Sequence, residues 1–290
     1  MTKIGVAGNS LSFYNEGHSS TVEAAAWCAA RKIDIFEYSF GKGVNMTDAT
    51  AEKIGKEFAL HGVELSVHAP YYINFANPER EKIEKNFGYV LKSLAKLACF
   101  GCGDRMVFHP ATQGKSSREE AFVRAKNNIA ELAEIVREQG FDKFKICIET
   151  MGKLGQIGTV EEVIELCSKA DFFYPCIDFG HVNARTGGSL KTAVDYEEII
   201  KKMLDGMPLY KVENMHVHFS KIMYGPSGEI KHLTFADELY GPEFSPLAEI
   251  LVKYSLSPTI ICESDGTQAE DAVAMRIIYD QALHNFALNG

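Results

Sequence analysis

No stretch of this 290-residue chain approaches the roughly 18 uninterrupted apolar residues of a membrane-spanning helix. The N-terminus, MTKIGVAGNS, lacks the charged, apolar and cleavable series of a secretory leader and starts directly on a strand-like run. The cysteines are few and odd in number. Cys28, Cys99, Cys102, Cys147, Cys167, Cys176 and Cys262 fall mostly in apolar segments, which reads as a reduced interior rather than a disulfide framework. Cys99-x-x-Cys102 has no second pair to complete a zinc ribbon, so it reads as part of a helix end and turn. A soluble, cytoplasmic protein without a membrane partner is expected. Basic charge is also scarce. A net charge of −9 weighs against nucleic acid, since domains that bind it are usually basic. Two or three divalent ions in a site would, however, add about four to six positive charges locally. Finally, AGNSLS after the first strand-like run is not the glycine fingerprint of a nucleotide-binding open sheet.

What the chain does have is alternation. Strand-like runs begin near Lys3, Asp34, Val63, Arg105, Phe144, Phe172, Asn214 and Pro258, separated by long patterns of helical period. Several of those patterns open on capping boxes, Ser20–Glu23, Ser117–Glu120, Thr159–Glu162, Asp195–Glu198 and Thr267–Glu270, and Ser245-Pro246 reads as an N-cap with proline at the first helical position. Strands alternating with such helices imply a parallel sheet covered by helices. Eight units imply closure into a (β/α)8 TIM barrel, with an open doubly wound sheet as the alternative. With 46% hydrophobic residues, the whole chain, 1–290, can form one such domain.

Six of the strand-like runs end on a residue able to bind a metal. They are VELSVH at His68, RMVFH at His109, FKICIE at Glu149, FYPCID at Asp178, NMHVH at His216 and His218, and TIICE at Glu263. In such barrels chemistry sits at the C-terminal strand ends, so these side chains should surround one mouth. His216 and His218, two apart on a strand, share a face. Asp178 and His181 form a D-x-x-H step, and His232 lies in the long loop after the seventh strand. Imidazole with carboxylate suits zinc, manganese or iron. His18, His61 and His284 precede no strand end and read as surface or helix-terminal residues. The loop MGKLGQIG (151–158) offers backbone N–H groups that could cradle a phosphate, a weak signal taken alone.

HAPYYINFANPE (68–79), VFHP (107–110), IET (148–150) before a glycine-rich loop, CIDFGH (176–181), MHVHFS (215–220) and CES (262–264) resemble the endonuclease IV family of apurinic/apyrimidinic endonucleases. The resemblance runs from Lys3 to about Ala282. HAPYYINFAN and VFHP are its most specific parts, while the D-x-x-H step is shared with the wider xylose-isomerase-like barrels. It implies a monomeric zinc phosphodiesterase of base-excision repair that cleaves double-stranded DNA 5′ to an abasic site, leaving a 3′-hydroxyl.

The resemblance further implies that His68 and His109 hold one zinc and that Glu149 bridges it to a second. Asp178, His216 and Glu263 complete the second site, and His181 with His232 holds a third. Glu149 is the implied catalytic residue, placed to orient a water made acidic by the cations, with manganese an alternative to zinc. Two departures stand out. Where the family has an aspartate two residues before the histidine of the seventh loop, this chain has Ile230, and Glu229 is three before His232. In the second loop, FGKGVNM offers only Lys42 in place of the family's arginine. Tyr71 and Tyr72 match the family's wedge, and Lys153, Gln156, Asn183, Arg185, Lys221 and Lys231 are candidate phosphate donors. A one-metal sugar isomerase or epimerase of the same superfamily would need Glu149, Asp178, His216 and Glu263 but not the His68/His109 pair. A catalytically lapsed barrel is the third reading.

Overall fold

A computed structural model describes residues 2–289. Eight strands form a closed barrel: β1 (Lys3–Ala7), β2 (Ile35–Ser39), β3 (Glu64–His68), β4 (Arg105–Phe108), β5 (Lys145–Glu149), β6 (Phe173–Asp178), β7 (His216–Phe219) and β8 (Thr259–Cys262). Every neighbouring pair is parallel, and β8 returns to β1. Each strand starts within two residues of its expected place. The strands are short and nearly continuous in buried residues, as parallel strands covered on one face by helices and filled on the other must be.

The period of two divides the side chains between two cores. Leu65, Val67, Met106, Phe108, Ile146, Ile148, Ile177, Val217 and Ile260 face the helices and belong to the main core. Val107, Cys147 and Cys176 form a separate small cluster inside the barrel. One step of two residues beyond that inner cluster, the same inward face carries His109, Glu149 and Asp178. The site is therefore the polar top layer of an apolar barrel interior.

The helices begin where side chains satisfy their first N–H groups. Ser20/Glu23, Ser117/Glu120 and Thr159/Glu162 form reciprocal capping boxes as expected. Two other expectations are corrected. The fourth box uses Thr192 with Asp195, so Asp195 is the reciprocating acid and not the cap. The helix Phe244–Lys253 starts on Glu243 without a side-chain cap, which places Ser245 and Pro246 inside its first turn, where the missing proline N–H is still harmless. Before the helix Gln268–Asn289, the Thr267 hydroxyl donates to Asp271 at 2.9 Å.

Two small additions decorate the mouth. Ala111–Thr112 pairs with Gln156–Ile157, tying the loops after β4 and β5 together. The long loop after β7 is an antiparallel hairpin, Ile222–Gly225 against Gly228–His232.

Candidate metal centre

Strand register decides which side chains meet. Cys176 lies opposite His216, and Asp178 lies opposite His218. His218 is therefore level with the acidic ends of β5, β6 and β8, and His216 sits one layer deeper. The donor atoms of Glu149, Asp178, His218 and Glu263 fall within 4.8 Å of one another. His216 does not join them. It is fully buried, with Nε2 3.1 Å from Glu37 Oε2, and the donors it shares a neighbourhood with are Cys176 and His218.

Glu149 stands between two donor groups. Its Oε2 is 3.0 Å from His68 Nε2 and 3.1 Å from His109 Nε2; its Oε1 is 3.2 Å from His218 Nδ1 and 3.3 Å from His181 Nδ1. His68, His109 and Glu149 make a second compact group, so Glu149 belongs to both. Burial alone would raise this carboxyl, but the imidazoles of His109 and His218 outweigh it and hold Glu149 well below the usual carboxylate range. Glu263 goes the other way. Burial pushes it up to about 8 despite the pull of His218, and the nearby Asp178 and Glu149 carboxylates add to the rise.

The third group depends on a β-bulge. In a regular strand Glu229 and His232, three apart, would point to opposite faces. Pairing runs Met223 with Lys231 and then Tyr224 with Glu229, so Ile230 is an extra residue. It stands exposed, and the phase shift brings Glu229 and His232 to the same side, beside His181. His181 Nε2 is 3.4 Å from Glu229 Oε2. Space beside them is tight: a Cβ at Gly152 would lie 2.7 Å from Glu229 Cβ and 2.8 Å from His181 Cδ2, so only glycine fits there.

The imidazoles are oriented from behind. His68 Nδ1 lies 2.8 Å from the Ala69 carbonyl and His181 Nδ1 2.9 Å from the Thr150 carbonyl. A carbonyl only accepts, so each Nδ1 carries the proton and each Nε2 faces the donor groups. His232 Nδ1 is 2.8 Å from the Ser220 hydroxyl. Asp178 Oδ2 is buried without a hydrogen bond among the described residues. Three of the donor groups hold only nitrogen and oxygen and, with a carboxylate oxygen left without a hydrogen bond, fit divalent cations such as zinc or manganese. In the Cys176/His216/His218 group, by contrast, burial pushes the thiol well up and disfavours a thiolate ligand.

A cleft of about 630 Å³ opens over these groups, lined among others by Tyr71, Lys153, Gln156, Lys231 and Asp265. Lys153 and Lys231 are exposed at its edge, and Lys42 is exposed in a neighbouring cleft that shares Tyr71. Tyr71 is 55% exposed, its ring 5.6 Å from His109 and 5.2 Å from His68, and its hydroxyl is 2.8 Å from Ser39. Tyr72 leans away and packs edge-on against Tyr89 at 5.0 Å.

Other expected phosphate donors are committed elsewhere. Arg185 donates to the carbonyls of Met151, Lys153, Gln156 and Leu154, while Arg118 takes Leu154 and Gln156 from the other side and pairs with Glu162. Lys221 is buried between the Asp237 carbonyl and Glu243. Asn183 is buried and accepts from the Leu190 N–H through its side chain. The 151–158 loop is not an open phosphate cradle, because the N–H groups of Met151, Lys153, Leu154 and Gln156 are already donated within the protein.

Sequence reading passed over Glu37. It sits on β2 inside an otherwise apolar run, 1% exposed, with Oε1 2.9 Å from His218 Nε2 and Oε2 accepting from Ser66 at 2.9 Å. The signal was available: an acid two residues before the strand end, in IFEYS, has to point into the barrel.

A closed parallel barrel with ligand-type residues at its C-terminal mouth defines a class of TIM-barrel proteins, and the comparisons narrow it. Residues 25–276 match the xylose isomerase-like TIM barrel family, to which this chain belongs. The uncharacterized protein MJ0133 of Methanocaldococcus jannaschii is 32% identical over 253 residues, 87% of this chain and 89% of that protein. A probable endonuclease 4 of Acholeplasma laidlawii is 27% identical over 182 residues, 61% of this chain and 60% of that relative. Among solved structures, that of L-ribulose 3-epimerase superposes with a TM-score of 0.69, covering 100% of this chain and 98% of its own, at 13% identity. That likeness speaks for the fold alone. Among the described residues no helix is long and apolar enough to cross a membrane.

Proposed function

We propose that this barrel is a metal-dependent phosphodiesterase acting on DNA, cleaving 5′ to abasic sites with a zinc cluster. The observation that carries this reading is the sharing of Glu149 between the His68/His109 group and the Glu149/Asp178/His218/Glu263 group, with the His181/Glu229/His232 group beside them. A sugar epimerase working with one cation needs only the four-residue group. Two further donor sets are superfluous to it, whereas a phosphodiester, anionic and with a poor leaving group, calls for several. Distant relatives named endonuclease 4 support the same direction.

Divalent cations at these groups would acidify a bound water toward neutrality and offset the charge of the attacking and leaving oxygens. The chain's own residues do the rest. Glu149 spans the first two groups and orients the attacking water. Lys153 and Lys231, free at the rim, would meet the DNA backbone, with Lys42 extending the path past Tyr71. The Tyr71 ring stands where it could fill the gap left by a missing base, and a nucleotide without a base is the cheapest to draw out of the stack. Cation-loaded protein should nick a duplex bearing one tetrahydrofuran abasic analogue on its 5′ side, leaving a 3′-hydroxyl. A strong chelator should abolish nicking and added zinc restore it. The second reading, a manganese-dependent sugar epimerase, draws on the four-residue group and on the epimerase-like fold. It gains if loaded protein leaves the duplex intact and equilibrates a ketose with its C3 epimer.

A further inference from the structure

His218 at the mouth meets, on its far nitrogen, a carboxylate that lies outside the three donor groups. His68 and His181 donate Nδ1–H to backbone carbonyls, and His232 meets a serine hydroxyl. His218 Nε2 lies 2.9 Å from Glu37 Oε1, while its opposite nitrogen, Nδ1, faces Glu149 Oε1 at 3.2 Å and Glu263 Oε1 at 3.5 Å. Glu37 belongs to none of the three donor groups at the mouth. It lies one layer deeper, level with Ser66 on β3, and its second oxygen is shared by the Ser66 hydroxyl and His216 Nε2. The 2.9 Å contact with His218 is close but not aligned as a hydrogen bond, so Glu37 Oε1 and His218 Nε2 retain unused bonding capacity.

A carboxylate buried to this depth is costly unless its partners compensate, and its retention in an apolar barrel needs a reason. We propose that Glu37 is a positioning residue for the middle cation site. It keeps the His218 proton on Nε2 and turns Nδ1, with its lone pair, toward Glu149, Asp178 and Glu263. His216 is the second imidazole on the same carboxylate and serves this brace, not the cation. The proposal rests on the reading that the mouth binds divalent cations. A carboxylate behind a ligating imidazole fixes the tautomer and raises its basicity, and loss of such a partner typically weakens metal binding by roughly 10–100-fold.

The test is chelator competition with zinc alone on wild type and Glu37→Gln, paired with nitrogen NMR of histidine-labelled, zinc-loaded wild type. Glu37→Gln keeps the size and removes the charge. Its tightly held zinc should weaken roughly 10–100-fold at one site while the other sites are retained. In wild type, His218 should carry its proton on Nε2 with Nδ1 ligated. Unchanged zinc affinity in the folded variant would overturn the proposal while leaving the cation reading intact. So would an Nδ1-protonated His218 in wild type, a result that requires no variant to fold. Absence of zinc binding by wild type would instead remove the functional reading on which the proposal rests. Ser66→Ala, which strips one donor from Glu37, should give a smaller loss in the same direction, and tighter zinc binding there would also count against the brace.

Discussion

Replacing Arg185 by Met keeps its aliphatic stem and removes the guanidinium that gathers four carbonyls of the loop after β5. Three of those contacts share one nitrogen, Nη1, which has only two protons, so about two to three bonds are effective. Hydrogen bonds to a charged group contribute about 1.5–3 kcal/mol each when partly buried. Arg118 continues to hold Leu154 and Gln156, which halves the loss. The expected cost is about 2–4 kcal/mol, and at about 2 °C per kcal/mol for a domain of this size the midpoint should fall by about 4–8 °C. Calorimetry on metal-loaded protein measures it, and amide exchange should show faster opening at Lys153 and Gln156. A residue that touched phosphate instead would leave the midpoint alone, weaken DNA binding and reduce the salt slope by about one. An unchanged midpoint with a reduced salt slope would refute the loop-brace assignment.

Glu149→Gln should fold normally yet lose cleavage by several orders of magnitude and bind fewer cations; wild-type turnover would remove it from the centre of the site. Tyr71→Ala should lower the preference for abasic over intact duplex by roughly tenfold, since stacking of this kind contributes about 1–3 kcal/mol, whereas Tyr72→Ala, packed on Tyr89, should change it less. Equal losses on both duplexes in a binding titration would show that the Tyr71 ring only packs. Zinc affinity should rise with pH. Glu263, pushed up to about 8, is protonated below that pH, and neighbouring anionic groups hold His181 and His218 above the usual histidine range despite their burial. Zinc must therefore displace several protons, and the apparent constant should climb by about tenfold or more per pH unit from 6 to 8. Calorimetry in buffers of different ionisation enthalpy counts the released protons, and Glu263→Gln should release one fewer; an identical count would show that Glu263 does not titrate in this range.

The barrel was readable because period two, period 3.6 and turn chemistry agreed along the whole chain, and strand starts came within two residues. The candidate site's convergence was readable at the ends of β3 to β6 and of β8, where the ligand-type residue is the last or next residue of an apolar run. It was not readable on β7. Two histidines of the same face differ by one layer, and only register against Asp178 selects His218 over His216. Glu229 was out of phase with His232 in sequence, and the bulge at Ile230 that corrects the phase leaves no compositional mark. Glu37 was missed because an acid within a strand looks like an interruption until the barrel closes around it. The fates of Arg185 and Lys221 turned on which carbonyls happen to be near, a tertiary matter that charge alone does not report.

Counting cations per chain tests the central claim most directly. After loading with zinc and passage through a desalting column, elemental analysis of wild type should find three per chain, and two in His232→Ala, which breaks only the bulge-dependent group. One cation per chain, unchanged in His68→Ala and His232→Ala, would contradict the cluster and leave the four-residue group of a sugar epimerase.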